Sequence, residues 1–365
     1  MPRLDWLQIF RREPYLEALR ALGAGLHGLL SEDLVTKAKA CGFPAERPED
    51  EPALTFFEKR EPVLWEMMYE GTRLEPLDWQ RFWGFRVPTT HWGMNKPPTP
   101  REICVRNGLF SAISEDLSGA NPEVAALVEQ LEQCVTGLRH GRLEQALRER
   151  VVRDRRAPAA AEELPREWFR CHLEGKSTVE RKRWKDVALV EIFRDARSRY
   201  ELFHFACHCA ADSRTELYSS LVLKVAGEAL ALDVGLLASD MRPGRGSVQQ
   251  AGPLVFLNAC GTSQPNPSGE PPGFPDVWVS KLGAVAVITT LCPVPDSFAQ
   301  AFAVKLYGLL FPRPGALAPP RCTHLAEALL ATRRYFMEAY NNPLGLAYVL
   351  YARQGVHTLP AAGRG

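Results

Sequence analysis

The chain has 365 residues, enough for two domains or for one domain with a helical extension, and enough to bury a full core without a metal or disulfide staple. Apolar residues make up 46 % and charged residues 24 %, and the formal net charge is +1. That balance offers no global field for nucleic acid or an anionic membrane. Met1 to Arg11 lacks the continuous apolar stretch of a signal peptide, and no apolar run reaches the roughly 20 residues of a membrane span. The expectation is a soluble, cytoplasmic protein with no nucleic-acid or membrane partner.

Pro14 opens a helix carrying Leu16, Leu19 and Leu22, and Ser31 precedes a second helical stretch ending near Gly42. Phe43 to Pro52 reads as a linker. Leu54 to Phe85 has a helical look and many aromatics, followed by a breaker-rich loop from Pro88 to Pro100. Glu102 to Val105 is a candidate early strand. Asn121 and Pro122 start a helix whose apolar positions run from Val124 to Leu138. Arg148 to Arg156 is read as a solvated helix face, because Glu149 and Asp154 interrupt the positive charge. The segment APAAAEELP, Ala157 to Pro165, marks the best boundary. It divides the chain into a mainly helical region, 1–160, with a regulatory or partner-binding role, and a second domain, 161–365.

Past residue 180 the pattern changes. Asp186 starts an amphipathic helix, and Leu202 to Ala206 is a short buried strand. Ser220 to Val225 and Ala229 to Leu232 form a hairpin around Gly227 and Glu228. Pro253 to Ala259 and Ala284 to Leu291 are continuous apolar strands. Helices follow over Asp276 to Leu282, over Ser297 to Phe311, and after a Thr323 cap. Strands without alternation are buried on both faces, and helices between them cover those faces. The fold class is therefore α/β, with a mostly parallel sheet flanked by helices.

Two strand ends carry chemistry, Phe203-His204-Phe205-Ala206-Cys207-His208 and Leu254-Val255-Phe256-Leu257-Asn258-Ala259-Cys260-Gly261. Ligands of parallel α/β sheets bind beyond the carboxyl ends of the strands. If these two strands are neighbours, His208 and Cys260 share one rim. A thiol is only a few per cent ionised near neutral pH, and a neighbouring imidazole lowers its pKa and can later protonate a leaving amine. Against this stands the plain alternative that a lone Cys ending an apolar strand is a core residue. By strand parity His204 shares a side with His208, so it either lines the cleft or is a satisfied core histidine.

Nine cysteines, mostly isolated, fit reduced thiols better than a disulfide framework. His204, Cys207, His208 and Cys209 are four potential zinc ligands within six residues. No second ligand pair follows, and adjacent strand residues point apart, so the reading is no metal and no cofactor.

The strings HFACHC, PLVFLNACGT and GAVAVITTLCPVPDSFAQAF, in that order, resemble the CHAT family, a branch of the caspase and separase superfamily of cysteine peptidases. The resemblance covers about residues 180 to 352, including a late helix at Leu325 to Leu329. It implies a caspase-like fold, His208 as catalytic base, Cys260 as nucleophile, and an oxyanion hole from the backbone N–H groups of Cys209 and Cys260. The family usually has Gly where Cys209 stands and Trp where Cys292 stands. Asp296 aligns with an acidic position near the substrate pocket of some relatives, where a carboxylate would favour Arg or Lys; capping of the helix from Ser297 is its plainer role. The functional expectation is a regulated cysteine endopeptidase of bacterial defence or signalling. Its protein substrate would be a gasdermin-like or other effector, and an upstream activator would switch it on. The alternatives are an inactive caspase-like scaffold, which the change to Cys209 favours, and a redox or metal sensor on the Cys207–Cys209 cluster.

Overall fold

The computed structural model describes residues 13–30, 36, 53–58, 64–71, 77–93, 101–105, 108–135, 137–155, 168–210, 219–240, 252–259, 262, 273–312 and 323–359. The second expected helix, the linker at 43–52, the boundary at 157–165 and Cys260 lie outside these residues.

An eight-stranded sheet forms the centre. In chain order its strands are β1 (Leu54–Glu58), β2 (Thr89–Gly93), β4 (Gly108–Ile113), β5 (Arg139–Arg142), β6 (Leu202–Ala206), β10 (Leu254–Asn258), β11 (Ala286–Thr290) and β13 (Tyr348–Ala352). Their spatial order is β1-β2-β13-β11-β10-β6-β4-β5. The β11–β13 contact is antiparallel and every other contact is parallel. The sheet is thus a block of five parallel strands joined at one seam to a block of three. This is the α/β, mostly parallel architecture that the unbroken apolar strands imply.

Each five-residue strand at the centre, β6, β10 and β11, is buried throughout. Alternate side chains feed two different cores. Phe203, Phe205, Val255 and Leu257 pack on one face, against helices α3 (Leu143–Arg155) and α4 (Thr178–Arg199). Leu202, Leu254 and Phe256 pack on the other, against α2 (Ala120–Glu132), α5 (Asp296–Leu310) and α6 (Leu325–Tyr340). Two small sheets flank the main one. One joins β7 (His208–Ala210), β8 (Ser220–Val225) and β9 (Glu228–Asp233); the other joins β3 (Glu102–Cys104), β12 (Thr323–His324) and β14 (His357–Leu359).

Several local expectations change. Leu54 to Phe85 is not a continuous helix: it opens with β1 and continues in single helical turns, Trp65–Met67, Trp79–Arg81 and Trp83–Arg86. The breaker-rich loop contains β2, paired with β1 through a register that includes Thr55 and Thr90, whose hydroxyls meet at 2.9 Å. That partnership spans 35 residues, out of reach of local periodicity. Glu102–Cys104 is a strand, but of a small sheet. Helix α4 begins at Thr178, ahead of Asp186, because Ser177 and Glu180 form a reciprocal capping box. The hairpin turns on Ala226 and Gly227, both at positive φ (52° and 80°), rather than on Gly227 and Glu228. Thr323 belongs to β12, and His324 is the residue before α6.

The first 160 residues also contribute β1, β2, β4 and β5 to the main sheet, so the sheet itself does not divide at 160. Helix α1 (Glu13–Gly28) places Leu16 against Tyr69, Phe82 and Phe85, and against Met337 and Leu346 from the far end of the chain.

A buried charge cluster fastens this N-terminal part. The Glu66 carboxylate accepts from Thr89 Oγ1 (3.0 Å) and lies 2.9 Å from His91 Nε2 and 3.5 Å from Arg333 Nη2. Arg333, wholly buried in α6, also donates to the carbonyls of Gly84 and Tyr348. Burial works against the Glu66 charge, but His91 and Arg333 outweigh it and hold the carboxyl at about 2, against an ordinary 4.5. The unfolded chain therefore takes up this proton first, and the stability the cluster supplies is lost as pH falls from 4.5 toward 2. Glu66→Gln should flatten that part of the pH–stability curve in urea titrations. At neutral pH it should cost about 3 kcal/mol, because Arg333 is left buried without its anion.

Candidate functional site

The carboxyl ends of β4, β6, β10 and β11 reach one rim, because these strands run parallel side by side. The segments leaving that rim carry Ser114 and Asp116, His208, Ala259 and Thr262, and Cys292 and Asp296, respectively.

His208 opens β7, directly past the end of β6, and pairs with Val222 of β8. Its side chain is 49 % exposed, and Nε2 lies 3.3 Å from Asp116 Oδ1. The Ser114 hydroxyl donates to the same oxygen at 2.5 Å. The Asp116 carboxyl is held below the usual range, first by the Ser114 hydrogen bond and then by His208. Asp116 was not among the residues read from the sequence. Its only local signal is position: Ser114-Glu115-Asp116 follows directly on the apolar strand Gly108–Ile113, a strand that the sequence reading also missed.

Cys209 is partly buried and pairs with Leu221. Among the described residues only Ala226 and Asn341 have positive φ outside glycine. Position 209 is ordinary strand backbone, so the cysteine side chain is carried without strain.

Cys260 itself is not described, but its flanks are. Asn258 pairs with Ala206, so the residues two further along each chain are Cys260 and His208. The Ala259 carbonyl accepts from Thr290 Oγ1 at 2.6 Å and Thr262 Oγ1 at 3.2 Å, and Thr262 also meets the Thr289 hydroxyl. The chain is thus anchored immediately before and shortly after position 260.

His204 has no exposed surface. The cleft-lining role is replaced by a core one. Parity turns His204 toward α2 and α5, where Nδ1 lies 2.9 Å from the Tyr307 hydroxyl and Nε2 lies 2.9 Å from Glu123 Oε1. Glu123 accepts from Asn258 Nδ2 at 2.7 Å, and Asn258 Oδ1 accepts from the Tyr348 hydroxyl at 2.8 Å. Burial, and then the Glu123 charge, push the Tyr307 phenol well above its ordinary value. A buried polar chain thereby holds Asn258, two residues before Cys260.

Asp296 is the first residue of α5, with Pro295 as its cap. Its Oδ2 accepts from the Gly119 N–H (2.9 Å) and the Ser118 hydroxyl (3.2 Å). The carboxylate thus ties the loop before α2 to the start of α5 and satisfies a donor at the start of another helix, instead of capping its own. Cys292 is partly buried against the α2–α5 core. Cys207 is buried on the face opposite His204, which separates two of the four potential zinc ligands. Among the described residues, no three His, Cys, Asp or Glu gather in a way that could hold a metal. No helix among them is long and apolar enough to cross a membrane.

The fold is α/β with a mostly parallel sheet, and its candidate site lies at the carboxyl rim of the strands. The CHAT-domain family model matches residues 109–335, more than half of the sequence, and the chain belongs to that family. The match begins at β4, well before residue 161. Among solved structures, the chain is similar to separase in the Saccharomyces cerevisiae separase–securin complex, with 12 % identity and a TM-score of 0.43 over 77 % of this chain and 15 % of that one. It is also similar to the complex of Porphyromonas gingivalis RgpB pro- and mature domains, with 8 % identity and a TM-score of 0.49 over 92 % of this chain and 71 % of that one. No curated protein matches in sequence.

Glu123→Ala should remove the shorter acceptor of Asn258 Nδ2, leaving it the Ala299 carbonyl, and the charge beside His204 Nε2. The expected loss is about 2 kcal/mol in chemical denaturation, with Tyr348→Phe costing about 1 kcal/mol as a single lost hydrogen bond.

Proposed function

We propose that the chain is a cysteine endopeptidase in which Cys260 attacks a peptide carbonyl and His208 serves as its base and acid. One observation carries this reading. Strands β6 and β10 are hydrogen-bonded neighbours in parallel register, with Asn258 beside Ala206, so each runs out at the same rim two residues before its reactive side chain. The imidazole is exposed there, with Nε2 3.3 Å from the Asp116 carboxylate. His208 takes the thiol proton, the thiolate adds to the carbonyl carbon, and the same proton goes to the departing amine as the C–N bond breaks. Water then hydrolyses the acyl-enzyme, returning the thiol. The backbone N–H groups of Cys209 and Cys260 would stabilise the oxyanion; the unstrained strand backbone at Cys209 supports keeping that position in the assignment.

The substrate in this proposal is a protein, with a gasdermin-like or other effector as the class implied by the family resemblance, and the setting is bacterial defence or signalling in the cytoplasm. The region ahead of β4 is assigned regulation or recruitment by an upstream activator. Its strands β1 and β2 pair at the β13 end of the sheet, on the flank away from β6 and β4. The Asp296 carboxylate is engaged by the Ser118–Gly119 loop, which favours a positioning role for it over direct reading of a basic substrate side chain.

An electrophilic peptide probe tests the assignment. Labelling should map to Cys260, vanish in Cys260→Ala and slow about 100-fold in His208→Ala. Labelling that maps to Cys207 or Cys209 and persists in Cys260→Ala would refute it.

A further inference from the structure

We propose that Asp116 is a positioning residue that orients the His208 imidazole for the reaction with Cys260, and that the turn Ser114–Asp116 is built to hold it there. The inference rests on the peptidase reading and adds a third side chain to it.

The turn is fixed from both sides of His208. The Ser114 N–H donates to the Ala206 carbonyl at 2.8 Å, at the end of the strand that leads into His208. The Ser114 hydroxyl accepts the Lys224 N–H at 2.8 Å, and the Glu115 N–H donates to the Lys224 carbonyl at 2.9 Å. Lys224 lies on β8, the strand that pairs with His208 through Val222. The Glu115 carboxylate accepts the Gly227 N–H in the β8–β9 turn. Asp116 is therefore referenced to the strand before His208 and to the strand beside it. Ser114 has no exposed surface, whereas Asp116 is 40 % exposed. A buried serine spends its hydroxyl on aiming a half-exposed carboxylate at an imidazole.

A carboxylate only accepts, so the Nε2 that faces it at 3.3 Å is favoured to carry the proton. The opposite nitrogen, Nδ1, is left with its lone pair to take the thiol proton. When it does, the imidazolium is stabilised by the charge on Asp116. A core function does not explain the pair, since a carboxylate–imidazole contact this exposed adds little to stability.

The test uses the full chain and iodoacetamide, a small electrophile that needs no substrate recognition, with the alkylation rate of Cys260 followed by mass spectrometry. His208→Ala should slow it about 100-fold and Asp116→Ala about tenfold. Asp116→Glu should recover most of the loss, and the melting temperature of each Asp116 variant should match that of the parent. With peptidyl-aminomethylcoumarin substrates, Asp116→Ala should lower kcat and leave KM unchanged. An Asp116→Ala protein that alkylates at the parent rate, while His208→Ala is slow, overturns the positioning role alone. So does a slowed Asp116→Ala protein that also melts early and is not rescued by Asp116→Glu. Alkylation of Cys260 that is indifferent to His208→Ala removes the peptidase reading, and this inference with it.

Discussion

The parallel hydrogen-bond ladder between β6 and β10 sets the geometry of everything at the rim. Five consecutive pairs, from Leu202 with Leu254 to Ala206 with Asn258, leave no freedom in how far each strand extends. A slip of one residue would turn every side chain to the opposite face. Phe203 and Phe205 would leave the α3–α4 core, and His204 would leave its polar partners for an apolar one. Both cores and the buried polar chain thus guard a register whose visible consequence lies at solvent, where His208 emerges.

Polar groups in the interior locate elements that hydrophobic burial alone would leave free to slide. Apolar contact is non-directional, while a buried hydrogen bond or ion pair is satisfied in one arrangement and costly in most others. Glu123, on α2, reaches Asn258 on β10 and stands beside His204 on β6, and Tyr307 adds α5 to the same group. At the far side, Glu66 and Arg333 fix α6 against the turn after Trp83 and against β2. Two clusters of opposite location thus pin both ends of the layer of helices on one face.

The N-terminal part is more than an appendage to this arrangement. The strands β1 and β2 continue the sheet beyond the antiparallel seam at β13, and they run opposite to the five-stranded block. Their carboxyl ends therefore point away from the rim that carries His208.

The sequence by itself determined the centre of the molecule. Unbroken apolar runs such as Leu202–Ala206 and Leu254–Asn258 can be stable only as strands buried on both faces, so the parallel α/β class follows from local composition. His208 and Cys260 could be put forward as candidates because each follows such a run. The tertiary structure alone decided what depends on partners distant in the chain. Leu54–Glu58 has a helix-like neighbourhood and becomes a strand because Thr89–Gly93 lies beside it. His204 shares parity with His208 yet is a core residue, because α2 and α5 close over its face. Asp296 serves a loop 177 residues earlier, and Asp116 meets an imidazole that no local pattern connects to it. Periodicity reports which face a residue occupies; only packing determines whether that face ends in solvent, in a core, or against a charge.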